Sequence, residues 1–348
     1  NMVNYLARGD LNGARIEARR LAVMQKYLQE QVEGSDEDSD GPVVGAGRDL
    51  ALLGPGCYLA GFTFERSGND EEALRYYDEA LAATSYRGLG PPVSRLAEVS
   101  SYRSPRIKAL LDDRSAEGAS SDEGSDEGEL LLVLGYGRVP ALEAVRVPIG
   151  LALTYAAGGI NPDQEAEVRR MAAQGLVTWV NYPELAPAPP DYGEPGVWLD
   201  GQPVETDEAV AIDRLLRAAY EAERGQVVAS AITRMIARGA AGALAGVAAA
   251  SASKKGKKKK NNAGLGMFAA MVVQAAGVAA DTPDTRSWST LPARLSFVRL
   301  RLPAGLHRLR ISVLGKQVER EVNVEAGGWS VLSVTDLRQP PFVVVSRR

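Results

Sequence analysis

Few residues in this chain have the type and spacing to do chemistry. Asp36, Asp38 and Asp40 precede Gly41 at the spacing D-x-D-x-D-G, the first half of a calcium loop, in which alternate oxygens wrap a hard cation. The twelfth position, where a bidentate glutamate would close the site, is Gly47. The three aspartates are thus an incomplete calcium candidate, and an acidic loop is the better reading. Gly135-Tyr136-Gly137 lacks the third glycine and the helix start that a dinucleotide-binding turn needs. A single histidine, His307, argues against a histidine zinc site or a Ser/His/Asp triad. A single cysteine, Cys57, excludes an intrachain disulfide and any multi-cysteine metal site, and buried packing is its expected role. Carboxylates are plentiful, but no pair sits in an apolar setting that would split their pKa values. The expectation is a non-enzymatic protein with no cofactor.

Charge points the same way. A net charge of −4 gives no general reason to expect nucleic acid. The one basic cluster is Lys254, Lys255, Lys257, Lys258, Lys259 and Lys260 in the loop 254–262. It has no interleaved aromatic residues, so nucleic-acid stacking is not expected. Such a loop could rest on anionic headgroups at about 1 kcal/mol per lysine. It joins two apolar stretches, Ile236–Ala250 and Ala263–Ala280, both short of the roughly 20 apolar residues that span a bilayer. Gly242 and Gly246 would allow close helix contact. The expected form is a buried helix pair with a solvated loop.

The elements that must carry these residues begin with a helical segment over 1–112. Gly56–Leu81 resembles one tetratricopeptide repeat, a helix–turn–helix unit that holds other proteins. Small residues fall where two helices must touch, at Gly61, Ala73 and Ala80, with Phe64, Tyr76 and Tyr77 between them. Gly68-Asn69 makes the turn, and Asp70-Glu71-Glu72 puts negative charge at the next helix N-terminus. Tyr5, Gly9, Ala14, Ala18 and Leu21 fit the end of one repeat helix, its turn and the next helix, giving about one and a half repeats over Asn1–Ala83. Gly9 and Gly68 are 59 residues apart, against a period of about 34. The acidic insert 33–42 explains the excess. The chain begins inside a helical pattern, so a preceding segment is expected. In such repeats one helix face looks into a concave groove, and Tyr58, Phe62, Glu65, Arg66 and Tyr76 are the candidate partner-binding residues.

An acidic linker, 113–129, precedes an α+β segment over 130–204. Leu130–Leu134 and Val145–Leu153 read as strands, Pro162–Gln174 as a helix and Leu176–Asn181 as a strand. Pro183–Pro195 reads as a loop, and an Asp200-Gly201 hairpin follows. A long helical hairpin over 205–285 is expected to start at an N-cap, Thr206. Trp288 is expected to pack at its junction with the β-domain, with Arg286 holding a carboxylate or a helix carbonyl. Alternation from Phe297 onward predicts a C-terminal antiparallel β-sandwich over 286–348. The fold class is thus α+β: a tetratricopeptide-like N-terminal segment, a mixed middle with long Gly/Ala-rich helices, and a β-sandwich.

Three stretches, Tyr136–Ala152, Asp207–Ile236 and Ala280–Gly305, are similar to a poorly characterised family of bacterial outer-membrane lipoproteins with tetratricopeptide-like N-termini. That resemblance implies export to the periplasm and a lipid anchor on an N-terminal cysteine not present here. Cys57, inside a repeat helix, is not that residue. The function expected is a periplasmic scaffold or adaptor binding protein partners in an outer-membrane-associated complex, as a homo- or hetero-oligomer. Two alternatives stand beside it. The apolar hairpin 229–280 would associate with a membrane or form a ring, or the β-domain would regulate a cell-wall enzyme.

Overall fold

The structure, a computed structural model, describes residues 1–33, 46–116, 126–156, 160–173, 179–187, 191–252, 282–337 and 342–347. The acidic aspartates 36, 38 and 40, the lysine loop 254–262 and the apolar stretch 263–280 lie outside these residues, as does 117–125 of the acidic linker. The chain is mixed α+β, with mostly antiparallel sheets. It divides into two compact units. The first comprises Asn1–Val139, Pro189–Ala219 and Ser289–Arg348; the second comprises Pro140–Ala188 and Tyr220–Trp288.

The first unit opens with helices α1 (Met2–Leu6), α2 (Leu11–Glu33), α3 (Ala46–Arg66), α4 (Asp70–Ala83), α5 (Gly90–Val99) and α6 (Pro105–Ala116). The turns after α1 and α3 are built alike. Gly9 and Gly68 have φ of 70° and 72°. The next N–H in each turn reaches back five residues, Asp10 to Tyr5 at 2.9 Å and Asn69 to Phe64 at 3.0 Å. This is the left-handed glycine cap that ends a helix and satisfies its last carbonyls. Asp70, Glu71 and Glu72 then occupy the first turn of α4, where the helix dipole favours them. Gly61 lets α3 and α4 approach closely, for a Cβ there would lie 2.4 Å from the Tyr77 ring.

The strands are β1 (Glu127–Tyr136), β4 (Gly196–Leu199), β5 (Gln202–Val204), β6 (Val210–Ala211), β7 (Arg294–Pro303), β8 (Gly305–Val313), β9 (Lys316–Val324), β10 (Trp329–Asp336) and β11 (Phe342–Arg347). They form two sheets, ordered β11-β10-β1-β7-β6 and β5-β4-β8-β9. The strands of residues 286–348 therefore do not make up either sheet by themselves. β1 lies between β10 and β7, parallel to the first and antiparallel to the second. β4 and β5, from 130–204, complete the other sheet.

The reason is burial on both faces. Along β1, Leu131 and Val133 join the helix-side core, while Leu130, Leu132, Leu134 and Tyr136 join the core shared with the second sheet. A strand covered on both sides reads as a continuous apolar run, and Leu130–Leu134 is such a run. β7 divides the same way, with Phe297 facing the helices and Val298 and Leu302 facing the second sheet.

The second unit holds β2 (Leu142–Pro148) and β3 (Trp179–Leu185), paired antiparallel, with α7 (Ile149–Tyr155), α8 (Pro162–Ala173) and most of α9 (Ile212–Ala252). Its core joins Val147, Ile149, Val168, Val180, Tyr182, Val228, Ile232 and Met235. Tyr220 donates to the Pro183 carbonyl at 2.8 Å and Arg224 pairs with Glu184 at 2.6 Å.

Several expectations are corrected. The run Val145–Leu153 changes from strand to helix at Pro148, whose φ of −58° suits a helix entry. β3 extends into the expected Pro-rich loop, because Pro183 and Leu185 pair with Ala144 and Leu142. α9 starts at Ile212, not after Thr206. The residues before it run along β7, where the Asp207 N–H donates to the Phe297 carbonyl at 3.0 Å and Val210 pairs with Leu295. Trp288 is 68% exposed, and of the two partners expected for Arg286 it is a carboxylate, Asp284 at 2.7 Å, that holds it.

Candidate functional site

Four of the candidate partner-binding residues, Tyr58, Phe62, Glu65 and Arg66, lie on the face of α3 that the chain's own central sheet occupies, whereas Tyr76 of α4 faces α2, its hydroxyl donating to the Ala18 carbonyl at 3.3 Å. Tyr58 and Phe62 are fully buried and Tyr76 nearly so. Tyr58 stacks on Phe297 of β7 at 4.3 Å, Phe62 meets Trp329 of β10 edge-on at 5.7 Å, and Tyr76 stacks on Phe64 at 5.4 Å. Such aromatic pairs contribute roughly 0.5–1.5 kcal/mol beyond area burial. These three residues are therefore core and not an open groove. The spacing 58, 62, 65 marks one helix face correctly, but spacing cannot tell whether a partner or the same chain covers it.

Glu65 and Arg66 sit at the edge of this contact in a dense ion network. Arg299 on β7 grips both Glu65 oxygens at 2.8 and 2.7 Å and also reaches Glu129 on β1. Arg66 bridges the same two carboxylates, to Glu65 at 2.9 Å and Glu129 at 2.5 Å. Arg95 of α5 pairs with Glu65 as well, and the Tyr77 hydroxyl donates to it at 2.5 Å. Glu65 and Arg299 are 4% and 3% exposed. Burial alone would raise the Glu65 pKa, but Arg299, then Arg66 and Arg95, outweigh it and hold the carboxyl well below its usual range. Burial pushes the Tyr77 hydroxyl well up. Charges this deep are tolerable only because each is paired and hydrogen-bonded. The network clamps helices to sheet, and its carboxylates are committed to arginines rather than available to a substrate. Beside it lies a cavity of about 280 Å³, lined by Glu65, Arg66, Asp70, Arg95 and Glu127 among others.

A second polar cluster lies on the outer sheet. His307 reaches Asp200 through Nδ1 and the Pro303 carbonyl through Nε2, each at 2.8 Å. Two acceptors require both ring nitrogens to donate, which is the imidazolium form. Burial opposes that charge, but the Pro303 carbonyl and Asp200 carboxylate prevail and raise the histidine pKa. The pair pins the Asp200-Gly201 turn between β4 and β5, where both residues have positive φ. A shallow cavity of about 590 Å³ adjoins it, with Trp198, Arg310 and Glu319 in its lining.

Cys57 is buried, accepts from Gln25 at 3.1 Å, and has its thiol pushed up to about 12 by burial. Among the described residues no group of three or more His, Cys, Asp or Glu could hold a metal ion. No helix among them is long and apolar enough to cross a membrane.

One face of the first unit is apolar and open. On α2, Ile16, Val23 and Tyr27 recur at intervals of seven and four, with Met24 at their edge, and they are 53, 71, 57 and 52% exposed respectively. Intervals of seven and four keep residues on one side of a helix. Arg20, four residues after Ile16 and three before Val23, lies on the same side, with Arg19 and Lys26 at its edges; all three are exposed, and Arg20 pairs with Glu17 and Lys26 with Glu30. Arg299, Glu129 and the α2 stripe escape sequence reading for different reasons. Arg299 looks like an ordinary outward charge on an alternating strand, and Glu129 like the last residue of the acidic linker, which β1 in fact takes in from Glu127. The stripe resembles the core face of any amphipathic helix.

Comparison of the chain with protein-family models, with curated proteins and with solved structures returned no match.

Proposed function

We propose that this chain is a non-enzymatic scaffold or adaptor of the bacterial periplasm, holding a protein partner within an outer-membrane-associated complex. The two glycine turns of like geometry support reading α1–α4 as one and a half tetratricopeptide-like repeats. The two sheets sharing one core support reading the strands as a β-sandwich. The inner helix face is filled by the sheet, so the partner is assigned to the other side of the repeats. The observation that carries the reading is the exposed α2 stripe of Ile16, Val23, Met24 and Tyr27 between arginines and a lysine. Exposed apolar residues gathered on one helix side among charges mark a protein contact. Its chemistry suits an amphipathic partner helix with acidic flanks.

The test is recovery of the tagged full chain from native membranes in mild detergent, followed by the mass of the intact assembly. Wild type is expected in an assembly of defined stoichiometry, and a Val23→Glu/Tyr27→Glu variant as a folded monomer. An assembly unchanged by the double substitution would remove α2 as the docking face. A wild-type monomer released without detergent would overturn the scaffold reading.

A further inference from the structure

A strand at the edge of a sheet leaves one side of its backbone N–H and C=O groups without a ladder partner, and proteins guard such edges with charge, proline or brevity. Six of the described strands end a sheet: β2, β3, β5, β6, β9 and β11. Five of them carry a guard. β6 has two residues and β5 three, with Pro203 among them. β9 carries Lys316, Glu319, Arg320 and Glu321, all exposed. β2 holds Glu143, Arg146 and Pro148, and β3 holds Pro183 and Glu184. Charge and proline both oppose the addition of another strand.

β11 is the exception. It runs Phe342-Val343-Val344-Val345-Ser346-Arg347 and pairs on one side with β10, from Thr335 back to Ser330. None of the described strands bonds to its other side. Its first five residues hold no charge and no proline. Four of those five are aromatic or β-branched, a composition that favours strand addition. Pro340 and Pro341, which precede it in the sequence, have no N–H with which to extend a ladder.

We propose that β11 pairs edge to edge, antiparallel, with β11 of a second copy of this chain. The sequence of the strand selects that occupant. Opposed residues in an antiparallel pair share a face of the sheet, so pairing about a two-fold axis sets one residue opposite itself. In the register centred on Val344, that residue meets its own counterpart, Val343 meets Val345, and Phe342 meets Ser346. Valines then lie across from valines, and the two Arg347 residues stand at opposite ends instead of face to face. The five-stranded sheet thereby continues into its copy. So short a contact buries well under the roughly 1,200 Å² of a stable interface. It is therefore weak between free molecules and forms where copies are concentrated or held side by side in an assembly. Chain recovered from membranes is far more dilute, so the α2 experiment is read independently of this contact.

The test uses the full chain. Sedimentation velocity over about 1–200 µM should show a monomer–dimer equilibrium with a Kd of roughly 10–200 µM. Val344→Cys sets the thiols of two copies opposite each other, with Cα atoms roughly 4.5–5.5 Å apart and within disulfide reach. Ser346→Cys leaves its thiols four residues out of register, about 14 Å apart along the strands. Under mild oxidant at about 50 µM, Val344→Cys should link into a dimer at least ~10-fold faster than Ser346→Cys. Cys57 is buried and should stay out of both reactions. Cooperative thermal unfolding near the wild-type Tm checks that each variant folds, and sedimentation of the wild type needs no variant. Val23→Glu/Tyr27→Glu should dimerise as the wild type does, which separates this contact from the α2 face. A wild type that stays monomeric to about 200 µM overturns the proposal; coverage of β11 by another segment of the same chain would give that result. Equal linking rates at the two cysteine positions, or a dimer abolished by the α2 substitutions, overturn it as well.

Discussion

At the scale of single residues, the balance between burial and pairing decides what each charge does. Glu65 is nearly inaccessible and serves Arg299, Arg66, Arg95 and Tyr77 together. Removing one member of such a buried set strands the others. Glu65→Ala should therefore lower unfolding stability by about 3–5 kcal/mol, read from urea denaturation. Glu71→Ala, which breaks an exposed pair with Arg75, should leave the urea midpoint unmoved. Because its folded pKa lies below the ordinary 4.5, Glu65 contributes stability that is present above that pH and lost as pH falls through the folded value. Glu65→Gln should flatten the acid limb of a stability profile. His307 runs in the opposite sense. Its folded pKa is raised above 6.5, so its contribution is full below pH 6.5 and lost as pH climbs through the raised value. Tm should fall over that window in the wild type and much less in His307→Gln. A parallel fall in both proteins would refute the assignment.

At the scale of elements, close approach and turn chemistry govern. α3 and α4 touch across Gly61, and a Cβ at that position would meet Tyr77 ring carbons at 2.4 Å. Tyr77 is pinned by Glu65 and Arg299 and cannot swing aside. Gly61→Ala should accordingly cost about 1–3 kcal/mol through overpacking. Gly150→Ala in α7, where nothing lies within 4 Å, should be neutral or stabilising by up to ~1 kcal/mol. Equal effects from the two substitutions in a urea series would dismiss the packing account. The delayed start of α9 belongs to the same scale. Thr206 has the chemistry of a cap, but the pairing of Val210 with Leu295 holds the chain extended until Ile212.

At the scale of the whole molecule, the first unit is assembled from three distant pieces of chain. β1 pairs with β10, 200 residues further along the chain, and with β7, 158 to 176 residues further along. The helical layer shares its core with Phe297, Trp329 and Val331. A chain truncated before Ser289 should therefore lose the helical layer as well as the strands, seen as collapse of cooperative unfolding by circular dichroism. The isolated fragment 289–348 should not fold, since the strand between its β10 and β7 would be missing. A cooperatively folding fragment would restore the autonomous β-domain, and with it the reading of that domain as an independent enzyme regulator.

Local physics was legible in the residues themselves. The left-handed turns at Gly9 and Gly68, the close contact at Gly61, the Asp200-Gly201 hairpin and the alternation through β7, β8 and β9 depend on neighbours a few positions away. Burial of Cys57 and the inward face of Tyr58, Phe62 and Glu65 follow from the same periodicity. What covers that face did not, because periodicity marks an apolar side without naming its partner. Only the tertiary structure joined Arg299 to Glu65 and moved β1 into the C-terminal strands. Each of these depends on residues tens to hundreds of positions apart, where register and burial outweigh local preference.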